Sequence, residues 1–306
     1  MDGVSIVLNL YQPKKEILKR ILDSFAIQKT RAKIEVVIVD KKTDREVIRL
    51  IRDFSEKSRR IRVVIIKVNE NLSFASSMNE GIKKARNNLA VVIQQDCIPV
   101  SEFWLDNLVA PFKDKRIVAT VSRVRFPDEL WSQLNILAKA IMIREKGVNT
   151  PLLDEKACAY RKDILNKTGL FNDKDFKTAG EDFDMYIKLK KCGIIGYPDA
   201  EIIHYHPINF KSRLSKIEQY ANGTGTLVRI HGKDMPRWYI GMSKAIPLLG
   251  IAPFILSFPI RRSLWLYPVY VLITPILHYL YIKGFWKGYL SGRQSIDVFN
   301  KNESKK

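Results

Sequence analysis

Leu89-Ala90-Val91-Val92-Ile93-Gln94-Gln95-Asp96-Cys97-Ile98-Pro99 runs from an unbroken apolar stretch into a carboxylate. Its length and β-branched composition mark Leu89–Ile93 as a buried strand, with Asp96 just past the C-terminal tip. The pattern has a precedent upstream, where Ile34-Glu35-Val36-Val37-Ile38-Val39 runs into Asp40. Val4–Leu8 and Ile61–Val68 are two further strand-like runs. Polar stretches of helical period lie between them, at Pro13–Gln28, Asp44–Lys57 and Ser73–Arg86. Pro13 suits a first helical turn, where its missing N–H costs nothing. Such alternation predicts a mostly parallel sheet with helices on both faces. In that architecture ligands bind at the carboxyl ends of the strands. The loops after Leu8, Val39, Val68 and Ile93 are therefore where chemistry is expected.

Further along, Ser101–Phe112 reads as a helix, Ile117–Val121 as a strand and Leu130–Arg144 as a helix, followed by a long loop from Gly147 to Lys156. Glu181–Lys191 is helical in pattern, and Gly193–Gly196 and Ala200–His204 look extended. The character changes after Gly232. Ile246–Ile260 and Leu264–Ile282 carry no charged residue if His278 is neutral, and Lys244, Arg261, Arg262, Lys283 and Lys287 flank them, with Trp265, Tyr267, Tyr281 and Trp286 near the edges. Basic and aromatic residues at the ends of apolar runs are an interfacial signature. The second run has the length to cross a bilayer and the first is short. The expected organisation is an α/β domain over residues 1–232 and an apolar, membrane-associated helical region over 233–306 ending in a basic tail.

The 306 residues are 46% hydrophobic and carry a formal net charge of +20. That composition allows a large core and excludes general disorder, and the charge favours an anionic partner such as a membrane surface or a phosphorylated substrate. No RNP-like, zinc or helix-turn-helix pattern accompanies it, so nucleic acid is not the expected partner. Cys97, Cys158 and Cys192 are scattered, without metal-site or disulfide spacing. The N-terminus lacks a basic-then-apolar leader pattern, and the α/β part is expected on the cytoplasmic face of a membrane.

Four features carry candidate chemistry. Asp96 can hold a hard divalent cation, Mg²⁺ or Mn²⁺, although a turn or capping aspartate looks the same in sequence. Asp40 can accept hydrogen bonds from a base or ribose. Glu181-Asp182-Phe183-Asp184 opens a helix, where the macrodipole alone favours carboxylates, yet a carboxylate there can also act as a general base. His204 and His206 alternate, which puts both rings on one side of an extended segment, where one of them can complete a metal site.

In this order and spacing, these features resemble glycosyltransferase family 2, with its Rossmann-like GT-A fold. Val4-Ser5-Ile6-Val7-Leu8-Asn9-Leu10-Tyr11 is similar to the opening strand and nucleotide loop. Asn71-Leu72-Ser73-Phe74-Ala75 with Asn79-Glu80-Gly81 is similar to a nucleotide-side motif. Gln94-Gln95-Asp96 stands at the DxD position, and Glu181-Asp182 at the acceptor-side ED position. The resemblance covers about residues 3–225. It implies nucleotide-sugar contacts from Leu8, Asn9, Tyr11, Asp40, Asn71, Asn79, Gln94, Gln95 and Asp96. It implies a metal on Asp96 with His206 or His204, and Asp182 as base beside Glu181.

Two departures reduce negative charge near the expected diphosphate: Gln94 replaces the first Asp of DxD, and Lys41 follows Asp40 where a second acid is usual. Gln before a single Asp is similar to the rhamnosyltransferase-like branch. The expectation is an inverting glycosyltransferase that moves a sugar from a nucleoside-diphosphate donor to a glycan hydroxyl or a polyprenyl-linked acceptor. A nucleotidyltransferase and a non-catalytic, membrane-tethered sugar-nucleotide binder are the alternatives.

Overall fold

The computed structural model describes residues 3–176, 179–205 and 210–291. In chain order the elements are β1 (Gly3–Tyr11), α1 (Lys15–Ala26), β2 (Lys33–Lys42), α2 (Arg45–Lys57), β3 (Ile61–Lys67), α3 (Phe74–Lys84), β4 (Leu89–Gln94), β5 (Cys97–Pro99), α4 (Trp104–Val109), β6 (Ile117–Val121) and β7 (Arg123–Arg125). Then come α5 (Asp128–Gln133), α6 (Ile136–Met142), β8 (Val148–Asn149), β9 (Ala157–Arg161), α7 (Lys162–Lys167), α8 (Glu181–Lys190), β10 (Ile194–Gly196) and β11 (Glu201–His204). The helices α9 (Phe210–His231), α10 (Trp238–Lys244), α11 (Ile251–Leu256) and α12 (Tyr267–Ser291) complete the described chain.

The chain divides into two compact units. The first comprises Met1–Pro127, Gly147–Phe171 and Lys188–His206. Among its described residues a larger sheet has the order β10-β6-β9-β4-β1-β2-β3, and a smaller one has the order β5-β11-β7-β8. The larger sheet is parallel except at β9, which lies antiparallel between β4 and β6. Sequence alone assigned no strand to Ala157–Arg161: its small residues and short length give no alternation to read. The central strands are buried on both faces, which is why they read as continuous apolar runs rather than alternating ones. Helix α1 packs Leu18, Ile21, Leu22 and Phe25 into the core at helical spacing. Asp44 caps α2 by accepting from the Val47 N–H at 2.7 Å, and Ser73 caps α3 by accepting from Ser76 N–H at 3.0 Å.

The second unit comprises Asp128–Lys146, Asn172–Ile187 and Pro207–Lys306. The single helix expected over Leu130–Arg144 is two, because Asn135 breaks it and caps the second by accepting from Ala138 N–H. Helix α9 covers Asn222-Gly223-Thr224-Gly225, a poor helical sequence to which sequence reading gave no element. Its glycines are required by packing: a Cβ on Gly225 would strike the Phe285 carbonyl of α12, and one on Gly288 would strike the Asn222 carbonyl of α9. Thr226 seals the crossing by donating to the carbonyls of Asn222 and Gly288.

The run with the length to cross a bilayer does not form a spanning helix, and the expected apolar membrane segment gains no support from the fold. Among the described residues no helix is long and apolar enough to cross a membrane. Ile246–Ile260 is broken into a turn, the short α11 and a following 3-10 turn. Leu264–Ile282 falls largely within α12, whose Pro275, His278 and several tyrosines dilute its hydropathy.

Candidate active site

The first constellation lies in the first unit, at the carboxyl edge of the larger sheet. Strand register sets it: Asn9 pairs with Val39 on one side and Gln94 on the other, and Leu10 pairs with Asp40. Asn9 and Gln94 therefore reach the same level, and Asp40 ends β2 one residue further on. Asp40 is 7% exposed, and among the described residues its Oδ1 meets no donor. Leaving a buried carboxylate oxygen unsatisfied costs free energy, so a ligand donor there gains more than it would in water. Asn9 is likewise buried; its Nδ2 donates to Ser77 Oγ at 3.2 Å while Oδ1 meets no donor.

Other residues implied by the resemblance take supporting positions. Leu8 is fully buried in the core, so only its main chain borders the edge. Gln95 braces Tyr11: its Nε2 donates to the Tyr11 carbonyl at 3.0 Å and its Oε1 accepts from the Tyr11 N–H at 2.8 Å. Asn79 braces Phe171 in the same two-way manner, at 2.8 and 3.0 Å. The side-chain amides of Gln95 and Asn79 are thus engaged in shaping loops. Asn71 is exposed, and its N–H donates to Asn69 Oδ1 at 2.9 Å. Lys41 donates to the Leu72 carbonyl and lies 5.2 Å from the centre of the Tyr11 ring. Burial lowers its ammonium below the usual lysine range.

Asp96, 27% exposed, follows β4. Antiparallel pairing of β11 with β5 places His204 opposite Cys97, and His204 Nε2 stands 3.3 Å from Asp96 Oδ2. In β11 the buried positions alternate, so His204 points to the same side as the core residue Ile202. The Tyr205 N–H donates to the Asp96 carbonyl at 2.8 Å, and Arg20 from α1 donates to the Tyr205 hydroxyl at 2.9 Å and stacks on its ring. Asp96, Cys97 and His204 form a group able to hold a metal ion. A separation of 3.3 Å suits two adjacent ligands of a small divalent cation with bonds of about 2.1 Å. The donor set fits Mg²⁺ or Mn²⁺ through oxygen and imidazole nitrogen. The soft Cys97 thiol fits less well, since burial and the neighbouring Asp96 push its ionisation well above the usual range. Of the two histidines considered, the structure brings His204 to Asp96; His206 lies outside the described residues. Sequence reading did not single out Cys97, Tyr205 or Arg20, because their roles arise from contacts across more than a hundred residues of chain.

The second constellation lies in the second unit, at the start of α8. Gly180 precedes it with φ of +101°, and a Cβ there would strike the Phe176 ring, so glycine is required. The Gly180 carbonyl accepts the Asp184 N–H at 2.9 Å and starts the helix. Asp184 is buried and pairs with His231 Nε2 at 2.8 Å, so its role is internal. Asp182 is half-buried and its Oδ1 accepts the Phe183 N–H at 2.7 Å. Glu181 is 4% exposed, and among the described residues its Oε2 meets no donor. Burial, with repulsion from Asp182 and then Asp184, pushes its carboxyl up to about 8.

A raised carboxyl makes stability depend on pH. Between the ordinary value of 4.5 and about 8, the folded chain holds a proton that the unfolded chain has released. Folding stability from this group is therefore full below 4.5 and falls with rising pH through that window, at no more than about 1.4 kcal/mol per pH unit. It levels off above about 8. The Tm of the wild-type chain is expected to decline across this window, and Glu181→Gln, which cannot ionise, to flatten the decline. Parallel Tm profiles for the two proteins would contradict the assignment.

Comparison with known proteins extends this picture. Residues 3–219 match the profile of the family described as "Glycosyltransferase like family 2". The chain is 21% identical to a Methanococcus voltae dolichyl N-acetyl-alpha-D-glucosaminyl phosphate 3-beta-D-2,3-diacetamido-2,3-dideoxy-beta-D-glucuronosyltransferase, over 96% of this chain and 99% of that protein. Its fold is similar to the mannosyltransferase PcManGT from Pyrobaculum calidifontis in complex with GDP-Man and Mn²⁺, with a TM-score of 0.64 and 15% identity, over 92% of this chain and 87% of that one. It is also similar to GalNAc-T7 with UDP, GalNAc and Mn²⁺, with a TM-score of 0.58 and 13% identity, covering 81% of this chain and about half, 52%, of the other. These matches favour glycosyl transfer over the nucleotidyltransferase and non-catalytic alternatives. With a profile match over most of its length, the chain belongs to glycosyltransferase family 2 and is a glycosyltransferase of GT-A-like fold.

Proposed function

We propose that this glycosyltransferase acts by inversion, moving a sugar from a nucleoside diphosphate to a hydroxyl of a glycan borne on polyprenyl phosphate, at the cytoplasmic face of a membrane. The observation that carries the reading is the Asp96–His204 pair beside the unsatisfied oxygens of Asp40 and Asn9 at one sheet edge. Two relatives support a nucleotide-sugar donor, since their structures hold GDP-Man in one and UDP with GalNAc in the other. The acceptor class is supported by the Methanococcus voltae relative, whose name gives a dolichyl-phosphate-borne N-acetylglucosamine.

Within this reading Asp40 and Asn9 bind the nucleoside, with Tyr11 held in place by Gln95 and Lys41. Asp96 and His204 would hold a divalent cation. Such a cation, when bound, offsets the charge that grows on the leaving diphosphate. Gln94 contributes a neutral amide beside the donor, where a carboxylate would add repulsion. Asp182 takes the proton from the acceptor hydroxyl as the new glycosidic bond forms and the sugar–phosphate bond breaks. The test is a donor screen, with GDP-, UDP- and dTDP-linked sugars, deoxysugars included, supplied singly with membrane extract and Mn²⁺. Release of free nucleoside diphosphate from one donor supports the reading, and release from none opposes it.

Asp40→Ala is expected to raise the donor KM about tenfold or more with a smaller fall in kcat. Hydrogen bonds to the nucleoside are felt equally in ground and transition states, so they set KM. A collapsed kcat with unchanged KM would place Asp40 elsewhere in the reaction.

A further inference from the structure

Helix α12 is apolar on the side it should show to water. Its inner face packs Ile273, Leu277 and Phe285 into the second unit. Leu272, Ile276 and Tyr279 lie on a different stripe, at i, i+4 and i+7, and all three are exposed. A helix covered by water on one side carries polar residues there. The preceding segments repeat the anomaly. Phe254 and Phe258 pack inward against α12, where Phe258 meets the rings of Tyr267 and Tyr270. Leu256, between those two phenylalanines, is 81% exposed, and Leu264 and Trp265 are exposed just before α12. The turn before α11 presents Leu248, 84% exposed, with Leu249 beside it. Leu248 adopts φ of +64°, a left-handed conformation disfavoured for a branched apolar side chain. The fold thus holds a leucine outward at a conformational cost.

Charge decides what covers this surface. From Met235 to Ser291 the chain contains no Asp or Glu, against six cations, of which Lys283 pairs with Glu218 of α9 and Lys244 is part-buried, leaving Arg237, Arg261, Arg262 and Lys287. A second copy would bring like charge against like charge across a symmetric contact, which disfavours it. An anionic lipid surface complements both the cations and the leucines. Among the described residues no helix is long and apolar enough to cross a membrane.

We propose that the second unit docks on a single leaflet of an anionic bilayer, inserting Leu248, Leu249, Leu256, Leu264, Trp265 and the Leu272–Tyr279 stripe of α12 to interfacial depth. This deepens the membrane placement in the proposed function and commits it to lying in the leaflet rather than spanning it.

The test is flotation of the full chain with vesicles of equal parts phosphatidylcholine and phosphatidylglycerol, and with phosphatidylcholine alone. Wild type is expected to float with the anionic vesicles at low salt, and less with the neutral ones. Leu248→Ser/Leu249→Ser/Leu256→Ser alters only exposed positions. It is expected to lose about a thousandfold or more in partition coefficient, since each fully inserted leucine accounts for about tenfold or more, while Tm stays unchanged. For orientation, Arg261→Cys and Lys287→Cys are made separately in a Cys192→Ser background, which removes the exposed native thiol and leaves the buried Cys97 and Cys158. A membrane-impermeant maleimide added outside should label both. Failure of wild type to float, wild-type flotation by the triple variant, labelling of one position only, or a monomer–dimer equilibrium shifted by the leucine changes would each overturn the proposal. The flotation contains neither donor nor acceptor. Its failure therefore leaves the transferase reading standing, and failure of the donor screen leaves the flotation result standing.

Discussion

Replacing Asp96 with asparagine is expected to lower kcat/KM by about a thousandfold or more while leaving Tm close to wild type. The side chain is part-exposed at the tip of β4, so the fold does not lean on its charge. Its neighbours do: Oδ2 stands 3.3 Å from His204 Nε2, and Asn in its place keeps the shape but gives up the negative charge of a cation ligand. Stabilising charge on a leaving diphosphate is worth several kcal/mol, and each 1.36 kcal/mol is a factor of ten. A second readout is independent of turnover. Calorimetric binding of the product nucleoside diphosphate should be strengthened by Mn²⁺ in wild type and indifferent to Mn²⁺ in Asp96→Asn. His204→Ala should move the same binding difference in the same direction, by a smaller amount. Full activity of wild type in excess EDTA, or Mn²⁺-dependent nucleotide binding retained in Asp96→Asn, would contradict the assignment.

Asp182→Asn is expected to lose about 10²–10⁴-fold in kcat with donor affinity nearly unchanged, the usual worth of general-base assistance. The structure separates the three carboxylates at the start of α8 by environment. Asp184 is bound to His231 inside the second unit, and Glu181 is buried with its carboxyl raised to about 8, which keeps it protonated at neutral pH. Asp184 is engaged by His231 and Glu181 already holds a proton, so neither is the carboxylate proposed as the base. Asp182, half-buried and one residue on, is the carboxylate proposed as the base. The size of the loss also reports on the acceptor. A hydroxyl must be deprotonated as it attacks, whereas a lipid phosphate is already ionised and would make the loss small. Wild-type kcat in Asp182→Asn with a hydroxyl acceptor, together with a collapsed kcat in Glu181→Gln, would transfer the role to Glu181.

The strands whose carboxyl ends carry the candidate site were legible because their signal is local. Residues Val4–Leu8, Ile34–Val39 and Leu89–Ile93 are buried on both faces, and burial on both faces writes itself as an unbroken apolar run. Asp40 and Asp96 were legible for the same reason, as carboxylates that end such runs. The helix-opening Glu181-Asp182 pair was legible by order along the chain. The difference between its members was not: Glu181 reaches its raised carboxyl only through burial that the fold supplies. Gln95 and Asn79 were recognised as motif residues, but the main chain of Tyr11 and Phe171 that their amides meet, 84 and 92 residues away in sequence, was not.

By itself the sequence determined the strand–helix alternation, the parallel core and the carboxylates at its edge, since periodicity and burial are properties of neighbouring residues. Tertiary structure alone decided three things. Pairing of β11 with β5 set His204 against Asp96, and no local pattern encodes which strand an edge residue will meet. Insertion of β9 made the sheet mixed, because a short run of small residues becomes a strand only when β4 and β6 offer it hydrogen bonds on both sides. The close crossing of α9 and α12 made a helix of a glycine-rich segment, where packing against the Phe285 and Gly288 carbonyls outweighs an unfavourable propensity of about 1 kcal/mol per glycine.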